Sequence, residues 1–336
     1  MADMPILTDY VQLIITLFGL FKQYRCERDG AKAGRPFTYG EEMFIVFFLL
    51  MQFRQIHAFK AQWRWLDRHP EMLALLGWAT VPHRTTIVRR YKALYEVVQE
   101  FVLFIGQYAP ALDEQFSQAH LVEDKSLFKA LGPVWHQSDR QANRIPAKLR
   151  NLDQDATWGK SGYQGWVYGY GLHITCNEAA FPALVQVETA AVSESEVLAQ
   201  KEETILTQLQ PETLAADNSY TQATRIKRWA KRGVALLTPA LKWVKGRFAQ
   251  AYHRFRKQPD IAQHLARRRT SVEPFFDLVA KVIGTTAKQK QLPVQHLDNV
   301  RTCLALATLS VQLAMIANSI WGLPHRNISE IAAAFQ

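Results

Sequence analysis

The sequence predicts an α/β fold in which a mixed sheet with flanking helices follows an all-helical N-terminal part. Three observations carry this prediction. Apolar residues recur at helical spacing over residues 10–104, the hydrophobic period changes to that of strands near residue 118, and strand and helix patterns then alternate toward the C-terminus. Such alternation is typical of a sheet whose faces are covered by helices.

The helices predicted in the N-terminal part are separated by breaks that contain glycine and proline. The predicted helices cover residues 10–21, 41–56, 58–66, 71–76 and 87–104. Residues 80–92 form a turn, a short polar start and a basic helix that carries Arg84, Arg89 and Arg90. This is the pattern of the second helix of a helix-turn-helix, whose first residues reach base edges. An ordinary exposed basic helix has the same pattern, and the two interpretations stay open.

The C-terminal part is predicted to contain five strands and four helices. The strands cover 119–127, 165–177, 181–192, 213–217 and 234–237, and the helices cover 193–209, 221–232, 261–283 and 297–320. Ser193 and Glu196 form a capping box at the start of the first of these helices. A long polar loop is predicted over 131–160. The last helix is long enough to span a membrane, but its polar residues indicate a buried core helix.

The charge of the chain is concentrated near its C-terminal end. The net charge is +10, yet residues 221–336 alone carry 19 basic and 5 acidic side chains, a net charge of +14. A basic surface of this density favours a polyanionic partner, most often nucleic acid. Three widely spaced cysteines, Cys26, Cys176 and Cys303, argue against a disulfide framework and against a thiolate zinc site. We expect a cytosolic, nucleoid-associated protein.

Three carboxylates are candidates for catalytic chemistry. Asp124 lies in the first predicted strand, Asp217 ends the fourth, and Glu273 lies in a predicted helix among basic residues. A carboxylate that follows small apolar residues in a buried strand needs a partner or a metal, because its desolvation is costly. Taken singly, Asp124 and Asp217 are better explained as helix N-cap or strand-end turn residues, and Glu273 has the alternative explanation of an i,i+4 partner of Arg269. Asp155 lies in the polar loop and is not included.

Several motifs together resemble the DDE transposases of bacterial insertion sequences, the family numbered four and its relatives. The motifs are Asp124-Lys125-Ser126, the segments 155–161 and 166–173, Ala216-Asp217-Asn218-Ser219-Tyr220, and Arg269-x-x-x-Glu273. Gly34-Arg35-Pro36 and the segment 81–86 also resemble the helical DNA-binding region of that family. Each motif is weak alone, whereas their joint order is specific.

The resemblance implies a division of the chain and a set of site residues. Residues 1–115 would form a helical DNA-binding domain, and residues 116–336 an RNase H-like catalytic domain with a basic insertion at about 238–262 and a C-terminal core helix. Asp124, Asp217 and Glu273 would hold two Mg²⁺ or Mn²⁺ ions and catalyse phosphoryl transfer on double-stranded DNA. The residues expected to contact DNA are Arg84, Arg89, Arg90, Lys242, Lys245, Arg247, Arg269 and Lys281.

The chain departs from the family pattern at two positions. Ala266 replaces a tyrosine seven residues before the glutamate, and Ala280 replaces a lysine seven residues after it, with Lys281 one position further on. The resemblance therefore does not carry over the hairpin-forming cleavage route. It implies a transposase that binds terminal inverted repeats as a homodimer. A metal-dependent nuclease without strand transfer and a catalytically silent DNA-binding derivative are the alternatives.

Overall fold

The structure, a computed structural model, describes residues 4–30, 38–162, 164–239 and 246–335. It contains two compact units that do not follow the order of the chain. The first unit comprises Met1–Phe104, Lys129–Asp155 and Leu278–Gln336, and the second comprises Ile105–Phe128 and Ala156–Asp277. The predicted division into a DNA-binding domain over 1–115 and a catalytic domain over 116–336 concerns function, not compactness, and stays a prediction.

The helices of the described chain are numbered in sequence order. They are α1 (Met4–Asp29), α2 (Glu41–Phe53), α3 (Phe59–Asp67), α4 (Pro70–Leu75), α5 (Arg84–Ala93), α6 (Tyr95–Tyr108), α7 (Gln137–Gln141), α8 (Glu194–Thr204), α9 (Ala223–Lys231), α10 (Arg247–Arg256), α11 (Pro259–Val282), α12 (Leu297–Ile320) and α13 (Ile328–Ala334). The helical N-terminal region is confirmed, although the helix expected over 87–104 is two helices. They meet at Leu94, whose amide donates to the carbonyl of Tyr91 as the C-cap of α5.

The first unit is built around α12. This helix is buried along most of its length and packs against α1, α2 and α5. In the described chain it is the one helix with the length and apolar composition of a membrane span, and 89% of its apolar stretch is buried inside the protein. Its polar residues are hydrogen-bonded. Gln52 donates to the carbonyl of Cys303 at 2.7 Å, and Gln312 donates to the carbonyl of Val102 at 2.9 Å. The prediction of a buried core helix is therefore confirmed.

A six-stranded mixed sheet forms the centre of the second unit. Its strands are β1 (His120–Lys129), β2 (Thr157–Ser161), β3 (Gly165–Asn177), β4 (Pro182–Thr189), β5 (Thr213–Ala215) and β6 (Ala235–Leu237). The order is β2-β3-β1-β5-β6, and β4 also pairs with β3. β5 is parallel to β1 and to β6, whereas β2 and β4 are antiparallel to β3. This arrangement confirms the predicted mixed sheet with flanking helices and is consistent with an RNase H-like fold.

Strand β2 lies where the sequence predicted a loop. It pairs with the first half of β3, from Thr157 opposite Gly169 to Ser161 opposite Gly165. The glycine in its centre, Gly159, has no room for a side chain, because a Cβ there would lie 2.5 Å from the carbonyl oxygen of Ala190. A glycine in a short polar run does not favour a strand locally. The strand therefore depends on packing between residues far apart in the sequence.

Candidate active site

Two of the predicted acids belong to neighbouring parallel strands. β1 and β5 are in register from His120 opposite Thr213 to Val122 opposite Ala215. Asp124, within β1, and Asp217, just after β5, each lie two residues beyond that last pair, so they are side by side. Asp217 begins a short 3-10 turn, because its carboxylate accepts the amide hydrogen of Ser219 at 2.8 Å.

Asp124 combines partial burial with a single cationic partner. Its side chain is 21% exposed, and its Oδ2 accepts a hydrogen bond from Nη1 of Arg268 at 3.1 Å. The other oxygen accepts the amide hydrogen of Lys125 at 2.9 Å. Burial raises the pKa of Asp124 to about 7, Arg268 pulls that pKa down, and the charges of Asp217 and Glu194 push it up. One arginine thus faces a pocket with excess negative charge.

Two further residues of this pocket did not emerge from the sequence as site residues. Glu194 is the first residue of α8, where Ser193 accepts the amide hydrogen of Glu196 at 3.2 Å as predicted for a cap. Tyr220 is fully buried, and its hydroxyl has no hydrogen-bond partner among the described residues. Burial raises the pKa of Tyr220 well above its usual range, and the charges of nearby carboxylates, including Asp124, add to the effect. The capping box was a local signal for Glu194, but not for its proximity to Asp124.

The opposite face of β1 carries a buried ion pair. Strand side chains alternate between faces, so Glu123 points away from Asp124. Both oxygens of Glu123 lie 2.7 Å from Nζ of Lys201, and the hydroxyl of Thr175 donates to the same carboxylate. Burial raises the pKa of Glu123 and lowers the pKa of Lys201, while each partner opposes the other's shift. Nearby His173 is fully buried, neither ring nitrogen is hydrogen-bonded within the described part of the chain, and burial lowers its pKa well below its usual range.

Glu273 lies on α11, exposed to solvent. It is five residues after Arg268, so the two side chains leave the helix about 140° apart. Asp124, Asp217 and Glu273 are all described, and their ligand atoms do not lie together within 4.8 Å of one another. The next residue, Pro274, lies inside the helix and removes one hydrogen bond of the helical ladder. The structure therefore brings two of the three acids together and leaves the third on the helix surface.

The residues predicted to contact DNA are mostly exposed. Arg84, Arg89, Arg247, Arg269 and Lys281 lie on helix surfaces, whereas Arg90 is half-buried with its guanidinium 5.8 Å from the centre of the Phe44 ring. No ion pair joins Arg269 to Glu273 in the described chain, although sequence spacing allows one. Lys281 donates to the hydroxyl of Ser329 at 2.6 Å. Lys242 and Lys245, and the motif Gly34-Arg35-Pro36, lie outside the described residues.

A second acidic cluster lies in the first unit. Within the described ranges, Asp153, Asp155 and His296 are the one group of three or more possible metal ligands whose atoms lie within 4.8 Å of one another. Asp153 accepts the amide hydrogens of His296 and Asp155 at 3.1 and 3.3 Å, and Asp155 accepts that of Leu297 at 3.0 Å. These bonds satisfy the amides at the start of α12, so the cluster also acts as a helix cap.

Comparisons with known proteins address the family. The family model described as a Transposase DDE domain matches residues 116–289, which cover β1 to β6, α8 to α11 and all three predicted acids. No curated protein and no solved structure matches the chain. The match covers more than half of the chain and includes the part of the sheet where Asp124 and Asp217 lie. This chain belongs to the DDE transposase family and contains its catalytic domain.

Proposed function

We propose that this transposase binds the terminal inverted repeats of its element, cleaves the DNA at the 3′ ends, and joins those ends to target DNA. The proposal is carried by one observation, the placement of Asp124 and Asp217 side by side on two adjacent parallel strands. The family supplies the coarser part of this statement, since transposases act on DNA. The DNA ends, the steps and the residue roles belong to the proposal.

DDE transposases use divalent metal ions, and the acids of this pocket fit such ions. Their donors are carboxylate oxygens, which Mg²⁺ and Mn²⁺ prefer. Burial is the main cause of the raised pKa of Asp124, and the charges of Asp217 and Glu194 raise it further although Arg268 opposes them, so the pocket has negative charge that a cation would offset. We assign Asp124, Asp217 and Glu273 as ligands of two ions. When bound, two such ions supply Lewis-acid activation of the attacking and leaving oxygens.

Glu273 is the proposed ligand that the structure does not group with the two aspartates. Its side chain is exposed on α11. Pro274 weakens the helix at this point, because the missing amide hydrogen leaves one carbonyl of the preceding turn without its helical bond.

The proposed reaction consists of two phosphoryl transfers. In the first, water attacks the phosphorus at the element's end, the bond to the 3′ oxygen breaks, and a free 3′ hydroxyl and a 5′ phosphate result. In the second, that 3′ hydroxyl attacks a target phosphodiester, forms a new ester and releases the target's own 3′ hydroxyl. Each step exchanges one ester bond or hydrolyses it, so no covalent protein intermediate is required.

The remaining residue roles concern binding. We assign Arg84, Arg89 and Arg90 of α5 to the end sequences, and the other predicted cations to phosphates. Those other cations are Lys242, Lys245, Arg247, Arg269 and Lys281. Synapsis of two ends implies a homodimer on DNA. A DNA substrate of this kind implies a cytosolic, nucleoid-associated protein.

Alanine variants test the assignment of the three acids. Asp124→Ala, Asp217→Ala and Glu273→Ala are each expected to abolish cleavage and to weaken Mn²⁺ binding, measured by paramagnetic resonance, while DNA binding remains. Asp277→Ala is the matched control for Glu273, because Asp277 is also exposed and lies one turn later on α11. If Glu273→Ala cuts DNA as the control does, the third ligand is wrongly assigned.

A strand-transfer assay separates the proposed transposase from a nuclease. Pre-cut element ends are mixed with a target plasmid and Mg²⁺, and joined products are sought. Joining that is lost in Asp124→Ala supports transposition. Hydrolysis without joining would favour the nuclease, and DNA binding without either reaction would favour a catalytically silent derivative.

A further inference from the structure

We infer that a basic pocket on α3 binds backbone phosphates of duplex DNA. The pocket has a volume of about 520 Å³ and lies entirely in the first unit. Its lining includes Lys60, Arg64, Trp65, Arg68 and His69, and no acidic side chain. The inference rests on the proposed function in one respect, since it assumes that the helical N-terminal part binds DNA.

The three cations of the pocket form one face of the helix. Lys60, Arg64 and Arg68 recur at every fourth residue, so they project on the same side at steps of about 6 Å along the axis. All three are exposed, and none forms a salt bridge within the described chain. A cation already paired with a carboxylate would give up that pair to bind phosphate. These three have nothing of the kind to give up, so their charge remains available to an anion.

The wall of the pocket is held in place by stacking. The rings of Trp65 and His69 stack with centroids 4.3 Å apart and an interplanar angle of 18°. Nδ1 of His69 donates to the carbonyl of Trp65 at 2.6 Å, and the guanidinium of Arg54 lies 4.9 Å from the centre of the Trp65 ring. This network already orders the aromatic side chains next to the cations. Binding of an anion therefore has a smaller entropic cost, because these side chains need not be ordered first.

The position of α3 explains why the anion is a DNA phosphate. α3 packs against α5, and the rings of Phe59 and Tyr91 meet edge to face with centroids 5.2 Å apart. α5 is the helix proposed to read bases. In a helix-turn-helix, the helix packed on the recognition helix crosses the sugar-phosphate backbone; here α4 lies between α3 and α5 in the sequence, and α3 is the helix that packs on α5. The basic face of α3 spans about 12 Å from Lys60 to Arg68, enough to contact more than one phosphate.

The salt dependence of DNA binding tests the inference. Binding of the full-length chain to a fluorescent duplex is measured by anisotropy over a range of salt concentrations. Arg64→Gln is expected to reduce the slope of log K against log salt by about 0.9, and the triple variant Lys60→Gln/Arg64→Gln/Arg68→Gln by up to about 2.7. The loss is expected to be the same for duplexes of different sequence, because phosphates carry no sequence information.

Arg28→Gln is the matched control. Arg28 is also an exposed helix arginine in the first unit, but its Nη2 lies 2.7 Å from Oδ2 of Asp29, so its charge is offset. An unchanged slope in the triple variant, or binding of inorganic phosphate at the pocket with no effect on DNA, would overturn the inference. If Arg84→Gln and Arg89→Gln weaken DNA binding while the triple variant does not, this pocket alone is wrongly assigned. If the wild type itself does not bind duplex DNA, the proposed function fails and the inference fails with it.

Discussion

The buried pair of Glu123 and Lys201 gives the sharpest test of how β1 is held. The Lys201 side chain is 6% exposed and the Glu123 side chain is not exposed at all. Lys201→Met keeps the length of the side chain and removes its charge. The Glu123 carboxylate would then retain the hydroxyl of Thr175 as its remaining polar partner.

The expected cost follows from that burial. Removing one member of a buried ion pair costs about 3–5 kcal/mol, because the other charge stays desolvated and unpaired. The pKa of Glu123 would rise further, and the side chain would take up a proton. Replacing both members with apolar residues of similar size is often neutral. The double variant Glu123→Leu/Lys201→Met is therefore expected to lie within about 1 kcal/mol of the wild type.

Urea denaturation followed by circular dichroism measures these differences. Lys231→Met is the control, because Lys231 is exposed at the end of α9 and its loss should change the free energy of unfolding by less than about 0.5 kcal/mol. A single variant Lys201→Met as stable as this control would refute the reasoning. A double variant no more stable than the single one would show that packing at this position, rather than an unpaired charge, sets the cost.

Two further predictions concern stability in other parts of the chain. Burial lowers the pKa of His57 to about 4, whereas in the unfolded chain it is about 6.5, so the unfolded state binds more protons between these values. The free energy of unfolding should therefore fall by up to about 3 kcal/mol as the pH drops from 6.5 to 4. Urea titrations at pH 6.5 and pH 4 should show this difference for the wild type and no such difference for His57→Gln. Gly159→Ala should destabilise by about 1–3 kcal/mol, because its Cβ would meet the backbone of Ala190. Gly162→Ala, with open space around it, should leave the thermal midpoint unchanged, and equal midpoints for the two variants would contradict the predicted clash.

The elements that the sequence predicted well are those whose signal is local. β3 and α12 have the predicted bounds, because a run of β-branched and aromatic residues and a long apolar helix each carry their own pattern. β2 was not predicted, because the need for a glycine at position 159 arises only from its close contact with Ala190, 31 positions along the chain. The helix expected over 87–104 divides at Leu94, which is apolar and therefore does not interrupt the periodicity.

In the candidate site, too, the local signals were predicted and the contacts between distant residues were not. The family motifs pointed to Asp124 and Asp217, and the strand register places the two side by side. They assigned Arg269 to DNA, which stays a prediction, and gave no role to its neighbour Arg268, which donates to Asp124. One residue on a helix changes the direction of a side chain by about 100°, so neighbouring arginines of α11 can face different partners. The orientation of α11 in three dimensions decides which of them faces Asp124.

The two adjacent acids of β1 explain why one carboxylate fits a metal and the other does not. Glu123 is fully buried and bonded through both oxygens to Lys201, so its charge is already compensated. Asp124 keeps partial exposure, one arginine and two acidic neighbours that raise its pKa. A divalent ion would lower the energy of the second arrangement and would have to break the ion pair of the first. Because strand side chains alternate between faces, residues next to each other in sequence can serve separate purposes, Glu123 as support for β1 and Asp124 as the metal ligand we propose.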